Sequence, residues 1–149
     1  MKVRFAASAA VVATALAGGL LTAAPAAQAA GGVSIYRVSY NSPGTDNRSN
    51  ASLNGEWVQL YNSSTSAISL SNWKLKDRAG WTYTFSGTIG AKSYVKVHTG
   101  RGTNTAGYRY WGRAAYVWNN DGDTAYLSKA SGALADSCSW GASGSSKYC

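Results

Sequence analysis

Short stretches of two-residue alternation recur from residue 33 to the end of the chain. In residues 56–62, Val58 and Leu60 take one parity and Trp57, Gln59 and Tyr61 the other, the pattern of a strand rather than of a helix. Both parities carry apolar groups, which predicts a central strand or one whose second face is covered. Residues 73–78 alternate more cleanly, with Trp73 and Leu75 on one side and Lys74, Lys76 and Arg78 on the other. In residues 93–98, Val95 and Val97 face inward and leave Tyr94, Lys96 and His98 outward. Residues 33–40 alternate imperfectly around Ile35 and Val38, which predicts a bulge. Ile68 with Leu70, and Tyr83 with Phe85, mark further strands. Leu127 and Leu134 are expected to close the sheet as a final hairpin across the turn at residues 130–132.

Gly, Ser, Asn and Thr separate these runs every few positions, which favours an all-β domain with wide loops. Residues 41–54 read as one long loop, and loops of that length are often functional. It contains Asn47-Arg48-Ser49 and Asn50-Ala51-Ser52, both matching glycosylation acceptors. Residues 99–107, with Gly100, Gly102 and Gly107, form a second loop, and Asn119-Asn120-Asp121-Gly122-Asp123 a tight turn.

The first 29 residues have a different character. Lys2 and Arg4 precede an Ala- and Val-rich run, and Ala27-Gln28-Ala29 supplies a small-residue cleavage pattern, so residues 1–29 are expected to be a secretory leader removed after Ala29. Residues 30–149 are then a single exported domain without a membrane span, extracellular and either free or held at the cell wall. The chain carries 14 basic and six acidic residues. Loss of Lys2 and Arg4 leaves 12 against six, a net +6, which biases the domain toward anionic surfaces such as nucleic acid or acidic wall polymers. Cys138 and Cys149 are the two cysteines. In an exported chain such a pair reads as a disulfide, pinning the C-terminal tail against the final strand.

Five pieces taken in order are distinctive: Gly55-Glu56-Trp57-Val58-Gln59-Leu60, Leu70-Ser71-Asn72-Trp73-Lys74-Leu75, Thr82-Tyr83-Thr84-Phe85, Tyr94-Val95-Lys96-Val97 and Trp118-Asn119-Asn120-Asp121-Gly122-Asp123-Thr124-Ala125. Their succession over residues 34–140 resembles the lamin tail domain in its secreted bacterial form. The resemblance implies an immunoglobulin-like β-sandwich and no catalytic residues or cofactor to carry over. It also implies a module that meets partners, since in nuclear lamins the domain contacts chromatin and proteins. Gln59 stands where relatives often carry an acidic residue.

Candidate chemistry is sparse. His98 beside Thr99-Gly100-Arg101-Gly102 lacks the Lys-Ser/Thr of a phosphate loop and reads as a solvent-facing strand-end residue. The turn at residues 119–123 offers oxygen ligands but not the later Glu of a calcium loop, so no metal is assigned. Glu56 with Asp121 or Asp136 is the one carboxylate couple a glycosidase would need, and Glu56 next to Trp57 equally suits an ion pair with an Arg. A non-catalytic reading is therefore preferred.

Binding is better motivated. Lys74, Lys76 and Arg78 project from one side of a strand at ~6.6–6.8 Å intervals. Arg101, Arg109 and Arg113 interleave with Tyr110 and Trp111; cations among aromatics suit single-stranded nucleic acid or sugar rings. These eight residues are the candidate surface for an anionic polymer or polysaccharide. The alternative is a protein partner, marked by an exposed apolar patch around Trp111, Tyr116 and Trp118.

Overall fold

The computed structural model describes residues 31–149, so the leader expected at residues 1–29 lies outside the described residues. Eleven strands and one short helix follow in the order β1 (Val33–Ser39), α1 (Asn50–Asn54), β2 (Trp57–Asn62), β3 (Ile68–Ser69), β4 (Lys74–Lys76), β5 (Thr82–Thr84), β6 (Thr88–Ile89), β7 (Tyr94–His98), β8 (Tyr108–Tyr110), β9 (Asp123–Ser128), β10 (Leu134–Trp140) and β11 (Ser146–Tyr148). They build a five-stranded sheet ordered β11-β1-β2-β7-β8, a four-stranded sheet ordered β10-β9-β4-β5, and the pair β3-β6. Every ladder is antiparallel except β7 with β8. This is the all-β domain that the strand pattern predicts, and the immunoglobulin-like sandwich that the resemblance implies.

Alternation decides which side chains enter the core. Val38, Val58, Leu60, Val95 and Val97 come from the five-stranded sheet, and Leu75, Ala125, Leu127, Cys138 and Trp140 from the four-stranded one; all are buried. Burying such aliphatic side chains stabilises the fold by about 1.5–3 kcal/mol each. Leu70, Phe85, Ile89, Val117 and Trp118 complete the same cluster. Trp118 packs between Trp111 and Trp140, with ring centroids 6.0 and 5.9 Å away. The Trp140 indole stacks on Tyr40 at 4.9 Å and donates to the Asn119 carbonyl at 2.8 Å.

The expected bulge lies in β1, where the register with β2 shifts between Ile35 and Arg37. Tyr36, the extra residue, packs with Tyr61 and Tyr94 of neighbouring strands. Arg37 is paired with Gln59 of the same outward set. One bulge thus places two consecutive side chains, Tyr36 and Arg37, on the outer face of the sheet.

One expectation is corrected and two are met. The loop at residues 41–54 contains helix α1, begun by the Ser49 side chain accepting from the Ser52 amide at 3.2 Å; five residues are too few to show a helical period. The expected final hairpin forms, with β9 pairing β10 across the turn at residues 130–132 and closing the edge of the four-stranded sheet; Leu134 opens β10 at a register shift and is 60 % exposed, while Leu127 is fully buried. The tail is pinned against the final strand of the hairpin, as expected. The Cys138–Cys149 disulfide, with Cα atoms 5.8 Å apart, joins β10 of one sheet to the end of β11, which pairs with β1 in the other.

Candidate functional site

The residues singled out in the sequence fall into four separate places. Lys74, Lys76 and Arg78 are exposed on the outer side of the four-stranded sheet, with Leu75 buried between the two lysines. Pairing sets Thr84 and Ser128 beside Lys74, and Thr82 and Tyr126 beside Lys76. Arg78 donates to the Thr124 hydroxyl at 3.3 Å. A shallow groove of about 390 Å³ runs past Lys76, Arg78, Gly80, Tyr126 and Ser128. The result is a face of cations, hydroxyls and one tyrosine.

Arg101 and Arg113 come together at one end of the sandwich, where with Arg48 and Asn50 they line a cavity of about 180 Å³. Arg101 is exposed, and its main chain is held by α1: its amide donates to Asn50 Oδ1 at 2.7 Å, and its carbonyl accepts from Asn50 and Asn54 Nδ2 at 3.0 and 2.9 Å. The Arg113 guanidinium lies over the Trp81 ring at 3.8 Å.

Arg109 and Trp111 do not reach a binding surface. Arg109 aligns with the inward Val97 of β7 and is buried, its guanidinium donating to the Tyr108 carbonyl at 3.1 Å. Trp111 is half-buried against Tyr83 and Trp118. The apolar patch expected around Trp111, Tyr116 and Trp118 is likewise replaced by core packing, since Trp118 is 2 % exposed. Tyr116 is half-buried, with its hydroxyl bonded to Ser52 at 2.6 Å. Tyr110 stands apart from all of these on the outer face of the five-stranded sheet, stacked on His98 at 5.2 Å. His98 is half-buried rather than solvent-facing, and its Nδ1 donates to the Asn54 carbonyl at 2.7 Å. Burial pushes its pKa below the ordinary value, against that hydrogen bond.

The carboxylates take up structural duties. Glu56 is completely buried; Oε1 accepts from the Trp118 amide at 2.6 Å and Oε2 from the Val117 amide at 3.1 Å. Thr99 sits beside it, its hydroxyl outside ideal hydrogen-bond geometry yet still favouring the ionised form. Desolvation outweighs these contacts and raises the Glu56 pKa to about 7. The ion pair expected at Glu56 is therefore replaced by a clamp on the main chain. Asp136 Oδ2 accepts from the Ile35 amide at 2.8 Å, which ties the two sheets together. Asp123 accepts from the amides of Thr124, Arg78 and Asn119, hydrogen bonds that hold the turn at residues 119–123. Burial raises the pKa of Asp77, which accepts from the Trp81 amide at 2.7 Å. Among the described residues no three His, Cys, Asp or Glu side chains gather as a metal site.

One surface escapes sequence reasoning altogether. The outer face of the five-stranded sheet carries Tyr36, Arg37, Trp57, Tyr61, Tyr94, Lys96, Tyr108 and Tyr148, contributed by β1, β2, β7, β8 and β11. Alternation marks these positions as outward one strand at a time. Only the sheet order shows that they share a face.

The sequence model of the Lamin Tail Domain family matches residues 26–142. Comparison with curated proteins gives no match.

Proposed function

Because this chain belongs to the Lamin Tail Domain family, whose immunoglobulin-like domains are non-enzymatic interaction modules, we propose that it is an exported binding module for an anionic polymer such as a wall polymer or extracellular nucleic acid. The observation that carries this reading is the outer face of β4. Lys74, Lys76 and Arg78 are all exposed there among hydroxyl-bearing neighbours. A polyanion gains from such a row by neutralising several charges at once and releasing counterions, so its affinity falls steeply with salt.

Export is supported by the leader-like composition of residues 1–29 and by the Cys138–Cys149 disulfide, a bond that persists in oxidising compartments. Residues 30–149 are then the mature domain. No helix among the described residues is long and apolar enough to cross a membrane.

The test is co-sedimentation of the disulfide-intact domain with purified cell wall, DNA and a neutral polysaccharide over a salt series. Salt-sensitive retention on wall or DNA, reduced in the Lys74→Ala, Lys76→Ala, Arg78→Ala triple variant, is the expected outcome. Unchanged affinity of that variant would remove the β4 face from the site. No retention on any of the three would favour a protein partner instead.

A further inference from the structure

We propose that the outer face of the five-stranded sheet is a stacking surface for single-stranded nucleic acid, separate from the basic face of β4. The ligand class follows the anionic-polymer reading, but the surface and its chemistry are different.

Three rows of side chains cross the sheet in register. Ser39, Trp57, His98 and Tyr110 form one. Tyr148, Arg37, Gln59, Lys96 and Tyr108 form the second. The third pairs Ser34 with Tyr61 and Tyr94, and the bulge adds Tyr36 to it. Tyr36, Tyr94, Tyr108 and Tyr148 remain 38–61 % exposed although they belong to regular strands. A sheet face this rich in exposed aromatics costs solvation without helping the core, which lies on the opposite side.

Charge selects the partner. Arg37 and Lys96 are the cations within the rows, and none of the six acidic residues lies on the strands of this face. Lys96 lies over the Trp57 ring at 4.0 Å and Arg37 over the Tyr148 ring at 4.6 Å. Arg37 spends its terminal nitrogens on the hydroxyls of Tyr148 and Ser146, and its buried Nε has no partner. Desolvation and the nearby Arg37 hold the Lys96 ammonium below its ordinary pKa; the negative charge of an approaching phosphate offsets the repulsion between the two cations. A neutral ligand makes no use of this pair.

Ring orientation then separates a nucleic acid from a sugar polymer. Tyr36 meets Tyr94 at 65°, Tyr148 at 82° and Tyr61 at 57°. Neighbouring rings so steeply inclined cannot all lie flat as a floor for pyranose rings. They present separately tilted faces and edges on which single planar bases stack, while Arg37 and Lys96 meet phosphates. Base–aromatic stacking combined with cations is the general chemistry of sequence-tolerant single-strand binding.

The experiment titrates an oligo(dT) of about 15 nucleotides, close to the largest site one small domain covers, against the mature domain and follows intrinsic tyrosine and tryptophan fluorescence. An abasic deoxyribose-phosphate polymer of the same length, duplex DNA and a neutral β-glucan are titrated in parallel. The oligonucleotide is expected to quench and to bind more tightly than the abasic polymer. Tyr36→Ala with Tyr94→Ala should weaken it by about five- to a hundredfold, and the corresponding double Phe variant should restore it, because the ring and not the hydroxyl stacks. The Lys74, Lys76 and Arg78 triple variant should keep this dependence on Tyr36 and Tyr94. Equal binding of oligonucleotide and abasic polymer would overturn the stacking surface and leave the anionic-polymer reading standing. Failure of the oligonucleotide to bind, an unaffected double Ala variant of unchanged thermal stability, or equal quenching by duplex DNA or glucan would overturn it as well.

Discussion

Replacing Glu56 by Gln should lower stability and also reverse its pH dependence in the acid to neutral range. In the folded protein this carboxyl titrates near 7, raised from 4.5 by desolvation. Between these values the native state holds a proton that the unfolded chain has released, so stability falls as pH rises. The stabilisation is fully present below about pH 4.5 and is lost as pH climbs through about 7. At about 1.4 kcal/mol per tenfold change in proton affinity, the gap corresponds to about 3 kcal/mol. The protonated acid keeps both oxygens as acceptors for the Val117 and Trp118 amides and gains a proton to offer Thr99 Oγ1, which has no other partner.

Gln has one acceptor oxygen and would turn its NH₂ toward an N–H donor. One buried amide then loses its bond, at a cost of about 1–3 kcal/mol, and the titration disappears. Of the groups that remain, Asp77, raised by burial, contributes a weaker slope of the same sign as Glu56 from the acid end, while the pKa of His98 is lowered by burial. A histidine depressed in the native state contributes the opposite slope, with stability rising as pH increases toward 6.5. Urea unfolding monitored by tryptophan fluorescence between about pH 4.5 and 8 should therefore show the wild type losing stability with pH and Glu56→Gln holding or gaining it. A flat or rising wild-type profile, or a falling profile retained in the variant, would refute the assignment of the slope to Glu56.

Two further outcomes test the supports around this clamp. Cys138→Ser with Cys149→Ser should cost about 3 kcal/mol, the loop-closure entropy of a bridge spanning a sequence separation of 11, and should speed hydrogen exchange at the Cys149 amide, which donates to the Tyr36 carbonyl at 2.9 Å; unchanged exchange would mean that β11 holds itself. Gly122→Ala, at φ +126° and with an added Cβ 3.1 Å from the Trp140 carbonyl oxygen, should destabilise by at least about 1 kcal/mol, visible as a lower Tm by calorimetry, and a neutral effect would show that this turn relaxes freely.

The strands were legible because burial imposes a period of two, and Lys74, Leu75 and Lys76 obey it as written. The bulge in β1 was legible for the same reason: Ile35 and Val38 cannot both face inward without an extra residue between them. Arg109 shows the limit. Within Tyr108–Tyr110 it has the look of a surface cation between aromatics, but its parallel partner in β7 is the inward Val97, and no local pattern encodes a partner strand. The outer face of the five-stranded sheet is hidden by the same logic: Tyr36, Tyr94 and Tyr148 are distant in sequence and meet only through the order β11-β1-β2-β7. Glu56 was misjudged because a lone acid at a strand end usually meets water or an Arg, whereas here the chain returns at Val117 and Trp118 with two amides in need of acceptors.

That fate of Glu56 is shared by most of the acidic residues, and it leaves the exposed cations of both sheets without acidic neighbours on their own strands. Glu56, Asp77, Asp123 and Asp136, four of the six acids, spend oxygens on main-chain amides, a use for which ionised carboxylates are strong acceptors. Glu56, Asp77 and Asp123 are buried. Some basic residues find main-chain partners too, Arg109 on the Tyr108 carbonyl and Lys147 on the Ser139 carbonyl, but of the two only Arg109 is buried. Lys74, Lys76 and Arg78 on one sheet, and Arg37 and Lys96 on the other, are thereby left facing outward without counter-charges from their own strands. The anionic ligand proposed above would complement a fold that uses its own acids as clamps.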